Sequence, residues 1–298
     1  MIFVVLITLL LLFYPGNNYY SDLFAYKSHL FSQKTKQISF KSSDIPYLVN
    51  TNSSPFLTAQ GAYILDLTSF TPVYEKNAHD HFLPASTTKV ITALTAYEHF
   101  KLDDVLTVKR VVNEGQVMGL VQNEKLTFES LLYGLLVYSG NDAAYVIADN
   151  YPGGYDVFIQ QMNKRAEELH MKNSSFINPA GLDAGGQYSS PYDLALAGRE
   201  LLKNKELSKI VSTKSITVSD VDFTYFHPLT NVNKLLGEIP GVGGLKTGYT
   251  EDAGQNLISF YKKNNHQFLI VILKSDDRFI DTRAIINWID TNIKFLSP

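Results

Sequence analysis

The chain has 298 residues, of which 45% are hydrophobic and 18% charged, so it has enough apolar material for a folded core and is not disordered as a whole. Its 26 basic and 29 acidic residues give a formal net charge of −3, which argues against nucleic acid as the main partner, because phosphate binding needs a concentrated basic surface. Cysteine is absent, which excludes disulfides, cysteine nucleophiles and zinc–thiolate sites.

An apolar run opens the chain from Met1 to Tyr14, and Pro15-Gly16 ends it. As a helix it would span about 21 Å, which is shorter than the hydrocarbon core of a bilayer and close to the apolar region of a signal peptide. A basic start and a clear cleavage site are both missing. Residues 1–16 are therefore predicted to be a signal peptide or an uncleaved N-terminal membrane anchor. Either one places the rest of the chain outside the cytoplasm, in the cell envelope.

Residues 17–55 are rich in Ser, Lys, Asn and Tyr and lack a sustained period, so they are predicted to be a tether with at most a short helix around Leu23–Leu30. A folded domain is predicted over residues 56–298. It opens with a β-hairpin, Ala62–Leu67 and Pro72–Glu75, followed by an apolar-periodic helix over Ser86–Phe100.

The middle of the domain is predicted to be helical and its last third to be strands. The helices cover Leu126–Tyr138, Asp142–Ala148, Asp156–His170 and a stretch beginning at Pro191 with Ser190 as N-cap. The strands cover Gly244–Thr250, Gln255–Tyr261 and Gln267–Leu273, and a last helix, Asp277–Ile293, is expected to pack Ile280, Ile285, Trp288 and Ile289. This order predicts an α/β (α+β) fold, in which an antiparallel sheet of N- and C-terminal strands is flanked by helices, with an all-helical subdomain between them.

Ser86 and Lys89 form the first candidate catalytic pair. A serine hydroxyl becomes a good nucleophile only when a base accepts its proton. If Ser86 begins a helix, Lys89 lies one turn on and its amine reaches the Ser86 oxygen. The amine must be neutral to act as a base, which burial would favour. Ser259 and Lys262 have the same spacing in a predicted strand, where they face opposite sides and cannot cooperate.

Two further motifs carry polar groups. Ser139-Gly140-Asn141 lies in the break between two helices, where a hydroxyl and an amide could relay a proton and hold a carbonyl. Lys246-Thr247-Gly248 lies on a predicted strand, where a lysine and a hydroxyl suit a carboxylate and the glycine would let a substrate backbone approach. Each motif alone is weak evidence. All three in this order, on helix start, loop and strand, match the triplet of β-lactamases and penicillin-binding proteins.

The sequence resembles the D-alanyl-D-alanine carboxypeptidase family, the low-molecular-mass penicillin-binding proteins with a β-lactamase/transpeptidase-like fold. Beyond the triplet, the matching blocks are Pro84–Lys89, Ser139–Ala143, Asn178–Asp183, Tyr188–Ser190 with Asp193–Ala195, and Gly244–Thr250 with Ala253-Gly254. The family's larger members continue into a C-terminal β-domain, which is not expected after this catalytic domain. Membrane attachment is then expected only through the N-terminal segment.

The resemblance implies a serine-type carboxypeptidase that trims the terminal D-alanine from peptidoglycan stem peptides, is inhibited by β-lactams and needs no cofactor or metal. Ser86 would form the acyl-enzyme, with Lys89 taking its proton. Ser139, hydrogen-bonded to Lys246, would pass a proton to the leaving D-alanine. The remaining implied roles fall to Asn141 (acyl side chain), the backbone N–H groups of Ser86 and Tyr249 (oxyanion hole), and Thr247, Gly248 and Arg278 (substrate and its carboxylate).

Several alternatives stay open on the sequence alone. A DD-endopeptidase that cuts cross-links has the same three motifs, and a non-catalytic penicillin- or peptidoglycan-binding module would have the same fold. A β-lactamase would need a Glu-x-x-Leu-Asn loop, and the nearest match, residues 166–170, has Ala for Glu and His for Asn. A metal-dependent hydrolase could use His79 and His81, but no third ligand has suitable spacing.

Overall fold

The computed structural model describes residues 1–12, 44–51 and 53–296, in two units, 1–42 and 43–298. Most of the predicted tether, with its helix around Leu23–Leu30, lies outside the described residues. In the first unit, helix α1 (Ile2–Leu12) covers most of the apolar run, and its described side chains are exposed. Within the described residues, none of the helices has both the length and the apolar character that a membrane span requires.

The second unit contains the predicted mixture of helices and strands. Its helices are α2 (Lys89–Tyr97), α3 (Phe128–Tyr133), α4 (Asn141–Asn150), α5 (Gly154–Glu168), α6 (Pro191–Lys203), α7 (Lys205–Val211) and α8 (Arg278–Asn292). Its strands are β1 (Ile45–Leu48), β2 (Gly61–Asp66), β3 (Pro72–Lys76), β4 (Val105–Thr107), β5 (Lys125–Thr127), β6 (Ser215–Ser219), β7 (Phe226–Thr230), β8 (Val242–Thr250), β9 (Gly254–Lys263), β10 (His266–Ser275) and β11 (Ile293–Leu296).

A five-stranded antiparallel sheet joins the two ends of the folded chain in the order β3-β2-β10-β9-β8. Strand β10 lies at its centre, where Ile270 is opposite Ile64 of β2 and Ser259 of β9. This confirms the predicted sheet of N- and C-terminal strands. It also makes β8, which carries Lys246-Thr247-Gly248, an edge strand of this sheet.

Both faces of the sheet are covered, which explains why β10 is an almost continuous apolar run rather than an alternating one. Phe268, Ile270 and Ile272 pack into a core with Trp288 of α8. The residues between them, such as Val271, join the larger core on the other face. Helices α2 and α6 contribute to that second core, so the sheet is sandwiched between α8 and the helical part of the molecule.

Several predicted elements differ from the observed ones. Ile45–Leu48 pairs with Ile293–Leu296 although residues 17–55 were predicted as a tether, so the folded unit begins before residue 56. The predicted helix over Leu126–Tyr138 starts as strand β5 and ends as a π-helical turn, Gly134–Tyr138. Ile280, expected in the core, is 63% exposed, because it lies in the first turn of α8 and outside the set of residues that this helix buries.

The cap of α6 confirms the prediction made from its sequence. Ser190 has an extended backbone, its hydroxyl accepts a hydrogen bond from the Asp193 N–H, and Pro191 is the first helical residue. The strand pair β6–β7 was not predicted. Its residues do alternate between exposed and buried along β7, but Pro228 in the middle of that strand weakens the sequence signal.

Candidate active site

A cleft of about 400 Å³ brings the three motifs together. Seven of the nine residues predicted for the site line it: Ser86, Ser139, Asn141, Thr247, Gly248, Tyr249 and Arg278. The other two, Lys89 and Lys246, are buried in its walls. The lining also includes residues for which no site role was predicted. Gly181, Leu182 and Thr250 belong to matched family blocks, whereas Glu114, Gly115, Gln116 and Val232 do not.

Ser86 lies in a single 3-10 turn, Ala85–Thr88, that leads directly into α2. The turn starts from a strained backbone, because Ala85 has φ +47°, a conformation that costs a residue with a side chain about 1–3 kcal/mol. Two glycines make room for this turn. A Cβ at Gly181 would lie 1.9 Å from the Ala85 carbonyl oxygen, and one at Gly248 would lie 3.1 Å from the Ser86 nitrogen.

The position of Gly248 revises the predicted reason for that glycine. The sequence suggested that it lets a substrate approach, but the closest neighbours of an added side chain are the backbone atoms of Pro84 and Ser86, at 3.0 and 3.1 Å. Strand β8 therefore lies directly against the nucleophile turn. The backbone nitrogen of Tyr249, the next residue, follows on the same edge strand, and the Tyr249 side chain is exposed at the cleft.

Lys89, the first residue of α2, is completely buried beneath Ser86. Its Nζ lies 2.8 Å from Ser86 Oγ, 2.7 Å from Asn141 Oδ1 and 2.7 Å from the Ala180 carbonyl oxygen. Burial lowers the pKa of Lys89 to about 7, against the opposing effect of the nearby Asp142 carboxylate. A substantial neutral fraction therefore exists near pH 7.

The three partners of Lys89 fix the direction of its lone pair. A neutral amine has two N–H donors and one lone pair. The Asn141 oxygen and the Ala180 carbonyl can only accept, so they take the two N–H groups. The lone pair is then left facing the Ser86 hydroxyl, which can donate its proton. This is the geometry of a general base poised on a nucleophile.

The Ala180 carbonyl is held by Asn178, in a segment that the sequence singled out as a family block without a role. The side-chain oxygen of Asn178 accepts hydrogen bonds from the N–H groups of Ala180, Gly181 and Leu182 at 2.8–3.2 Å. Its amide also donates to the Leu182 carbonyl at 2.8 Å. This buried side chain, together with Gln187, whose amide donates to the Leu182 carbonyl at 2.6 Å, shapes the loop that orients Lys89 and passes against Ala85.

Ser139 and Asn141 lie on either side of the break between α3 and α4. The break is closed by the Gly140 N–H, which donates to the Gly134 carbonyl at 2.8 Å, and by a left-handed backbone at Ser139, φ 70°. Both side chains are nearly buried and reach the cleft. The predicted break therefore exists, and it brings a hydroxyl and an amide to the side of Ser86.

Lys246 is buried on β8, with its Nζ donating to the Thr247 carbonyl at 3.0 Å. Among the described residues no hydrogen bond joins it to Ser139, although the family resemblance implies one, because the amine is turned to its own strand. Burial holds the pKa of Lys246 well below its usual range, and the positive charges of Lys89 and Arg278 lower it further. The side chain of Thr247 lines the cleft beside it.

Arg278 reaches the cleft from the start of α8, whose N-cap is Asp277. Its guanidinium donates to the Gly248 carbonyl at 2.8 Å, while its Nε is buried and has no partner among the described residues. Burial lowers the pKa of Arg278 against the opposing effect of Asp277, but a guanidinium stays charged. The cleft therefore contains a fixed cation beside Thr247 and Lys246.

Asp142 anchors the loop opposite β8, a role that the sequence did not reveal. This buried carboxylate accepts hydrogen bonds from the N–H groups of Met118, Gly119 and Leu120 at 2.9–3.2 Å. The same loop is tied to Asn141, whose backbone N–H donates to the Gln116 carbonyl at 2.7 Å. Contacts of this kind depend on the folded path of a loop and leave no periodic signal.

The groups considered for the alternative chemistries lie elsewhere. Glu167 and Glu168 are exposed on α5 and do not line the cleft, and Glu168 binds Arg165 at 3.1 Å. The His79 ring packs on Tyr192 and the His81 ring stacks on Tyr188, with centroids 4.8 and 4.1 Å apart. In the part of the chain that the structure describes, no three His, Cys, Asp or Glu side chains come together as metal ligands.

Comparisons with known proteins agree on one family. The family model of D-alanyl-D-alanine carboxypeptidases, peptidase family S11, matches residues 48–277. The D-alanyl-D-alanine carboxypeptidase DacF of Bacillus subtilis is 35% identical over 72% of this chain and 57% of its own length. DacD of Escherichia coli is 32% identical over 84% of this chain and 66% of its own length. The chain thus spans roughly three fifths of these relatives.

Solved structures with the same fold cover the folded unit. Penicillin-binding protein 6B of Escherichia coli superposes with a TM-score of 0.74 at 31% identity, over 83% of this chain and 81% of that one. The DD-transpeptidase of Streptomyces K15 gives a TM-score of 0.74 at 30% identity, over 79% of this chain and 98% of that one.

Proposed function

The chain belongs to the D-alanyl-D-alanine carboxypeptidase family, and from that premise we propose that it removes the terminal D-alanine from peptidoglycan stem peptides ending in D-Ala-D-Ala. The observation that carries the proposal is the buried Lys89, whose Nζ lies 2.8 Å from the Ser86 hydroxyl in an open cleft. A serine with a neutral amine held against it by two fixed acceptors is suited to acyl transfer and has no evident structural purpose.

In the first step, Ser86 Oγ attacks the carbonyl carbon of the last peptide bond while its proton passes to Lys89 Nζ. The carbonyl oxygen becomes an anion, and we assign its stabilisation to the backbone N–H groups of Ser86 and Tyr249. The close contact between Gly248 and the Ser86 turn supports this assignment, because it brings the two backbone segments together. Asn141 is assigned to the amide on the acyl side of the scissile bond.

In the second step, the C–N bond breaks and the D-alanine amine leaves with a proton. That proton comes from the lysine ammonium formed in the first step, and Ser139, at the cleft wall, is assigned to relay it. The leaving carboxylate is assigned to Thr247, with Arg278 and Lys246 supplying positive charge. Water then attacks the Ser86 ester carbonyl while Lys89 takes its proton. The bond between the acyl carbon and Ser86 Oγ breaks, Lys89 returns the proton to Ser86 Oγ, and the shortened peptide leaves as a carboxylate.

We further propose that the enzyme acts outside the cytoplasm and that the apolar segment at residues 1–16 directs it there. The proposal is supported by the exposed apolar helix α1 and by the location of peptidoglycan. Retention of the segment in the mature protein would make it an anchor, and its removal would make it a signal peptide.

The test uses the full chain in mild detergent with benzylpenicillin and with diacetyl-L-Lys-D-Ala-D-Ala. A β-lactam ring is a strained amide, so attack by Ser86 would leave the opened drug attached as an ester. We expect a mass increment on the peptide that contains Ser86, absent in Ser86→Ala, and release of D-alanine from the tripeptide.

Three results would change the proposal. Rapid turnover of the drug with only a transient adduct would indicate a β-lactamase. Cleavage of a cross-linked dimer without release of terminal D-alanine would indicate an endopeptidase. A folded chain that forms no adduct and cleaves no peptide would leave a binding module.

A further inference from the structure

One carboxylate lines the cleft without a partner of opposite charge. Glu114 is exposed at the cleft, and among the described residues no Lys, Arg or His lies within ion-pair distance of it. On the basis of the proposed function, we propose that Glu114 is a specificity determinant that selects substrates with a cationic side chain on the acyl side of the scissile bond.

A backbone hydrogen bond places Glu114 on the acyl side of the scissile bond. Its carbonyl accepts a hydrogen bond from Asn141 Nδ2 at 2.8 Å, so it adjoins the residue assigned to the acyl-side amide. Burial raises the pKa of the Tyr145 phenol, one turn along α4 from Asn141, and the negative charge of Glu114 adds to that effect. The carboxylate of Glu114 thus lies close enough to α4 to act on Tyr145, next to the residue assigned to the acyl-side amide.

The turn that carries Glu114 is held in one conformation. Gly115 has φ +68°, and a Cβ there would lie 2.7 Å from Asn141 Nδ2, so the turn needs glycine at this position. Further along the same loop, Asp142 accepts the N–H groups of Met118 and Gly119. The carboxylate is therefore presented from a fixed backbone, which reduces the entropy lost when it binds a ligand.

The guanidinium that packs on Tyr145 is already committed elsewhere. Arg110 stacks on the rings of Tyr145 and Tyr155, with 4.5 and 4.8 Å to the centroids. It binds both oxygens of Asp149 at 2.8 Å. Its charge is therefore offset by Asp149, and the charge of Glu114 stays available to a ligand.

These contacts give the cleft a polarity that matches a peptide with charges at both ends. Arg278, Lys246 and Thr247 form the end assigned to the terminal carboxylate, and Glu114 adjoins Asn141, which is assigned to the acyl-side amide. A primary ammonium on the residue upstream of D-Ala-D-Ala would meet Glu114, whereas an acetylated or uncharged side chain would leave it unpaired.

The test compares two peptides that differ only in that charge, Nα-acetyl-L-Lys-D-Ala-D-Ala with a free ε-amine and its Nα,Nε-diacetyl analogue. We expect the full chain to have a kcat/KM about 2- to 5-fold higher for the free amine, the range expected for an exposed ion pair. The ratio should fall toward 1 in Glu114→Gln and invert in Glu114→Lys, and it should shrink as NaCl is raised. Glu167→Gln, an exposed glutamate on α5, is the matched control and should keep the wild-type ratio.

The outcomes separate the two proposals. Equal kcat/KM values for both peptides in the wild-type chain would overturn the role of Glu114 and leave the carboxypeptidase intact. A preference that persists in Glu114→Gln would overturn it as well. Failure to cleave either peptide, with no benzylpenicillin adduct on Ser86, would overturn the proposed function and this inference with it. Inversion in Glu114→Lys cannot arise from a misfolded variant.

Discussion

Lys89 and Lys246 are both buried in the walls of the same cleft, but their surroundings differ. Lys89 Nζ has three hydrogen-bond partners within 2.8 Å, and two of them, on Asn141 and Ala180, are fixed by further hydrogen bonds. Lys246 Nζ has the Thr247 carbonyl at 3.0 Å as its acceptor among the described residues, and two positive groups repel it. The first amine is satisfied by the protein, and the second is not.

This difference divides the site into two halves. The finished half, around Ser86 and Lys89, is completed by the protein itself, and the unfinished half, around Lys246, Thr247 and Arg278, is completed by a ligand. Buried donors without acceptors are costly and rare in folded proteins. Two under-satisfied donors lie at the same end of the cleft: the amine of Lys246 has a single carbonyl for its several N–H groups, and the Nε of Arg278 has no partner among the described residues. A carboxylate bound beside Thr247 would supply the missing acceptor oxygens. The nucleophile end, in contrast, is assembled before any ligand arrives.

Removal of the base should break the finished half and give the largest effect. Lys89→Met keeps much of the side-chain volume but leaves Ser86 without a proton acceptor. Since general bases contribute about 10²- to 10⁴-fold, we expect benzylpenicillin acylation, followed by intact mass, to slow by about 10³-fold. Lys262→Met, an exposed lysine with the same spacing from a serine, should acylate at the wild-type rate. A Lys89→Met protein that acylates within tenfold of the wild type would refute the base assignment.

Removal of a hydroxyl should weaken the unfinished half without touching the nucleophile. Thr247→Val is expected to raise KM for the D-Ala-D-Ala peptide about 10- to 100-fold, because a hydrogen bond to a charged group contributes about 1.5–3 kcal/mol. The loss should vanish for a peptide whose C-terminus is amidated. Thr217→Val, an exposed threonine on β6, is the matched control. Equal losses on the acid and the amide would show that Thr247 does not bind the carboxylate.

The sequence predicted the site residues that belong to motifs and missed those that do not. Ser86, Lys89, Ser139, Asn141 and Lys246 were identified because their motifs have fixed spacings, and the structure brings all of them to one cleft. The main sheet and the cap of α6 were predicted for a similar reason, since short apolar runs bounded by turn residues and a Ser-Pro-x-Asp helix start are local signals.

What the sequence missed depends on long-range contacts. Glu114 joins the cleft only because Asn141 and Asp142 hold its loop, and no local pattern encodes that path. The pairing of β1 with β11 joins residues about 250 positions apart, so four residues of β1 resembled tether. The exposure of Ile280 was also missed, because the spacing of apolar residues along a helix does not show which turns of that helix the sheet covers.

The pH dependence of acylation tests the difference between Lys89 and Lys246, because the rate should follow the titration of the lysine that acts as the base. With a Lys89 pKa of about 7, the neutral amine increases as pH rises. Its fraction goes from about one tenth at pH 6 to about nine tenths at pH 8, so the acylation rate should rise about tenfold and then level off. Asp142 raises that pKa, so Asp142→Asn should shift the rise to lower pH. A flat profile from pH 6 to 8 would exclude Lys89 as the group that titrates.

The smallest effect should come from the support behind the finished half. Asn178→Ala removes the oxygen that accepts three N–H groups. The loop then no longer fixes the Ala180 carbonyl, which is one of the two acceptors that orient Lys89. We expect acylation to slow about 3- to 10-fold and unfolding free energy to fall by about 1–3 kcal/mol, since buried N–H groups lose their acceptor. Asn178→Asp keeps the acceptor oxygen and should recover most of the acylation rate. If Asn178→Ala destabilises the protein but acylates at the wild-type rate, the Ala180 carbonyl does not orient Lys89, and Asn141 alone must hold the amine.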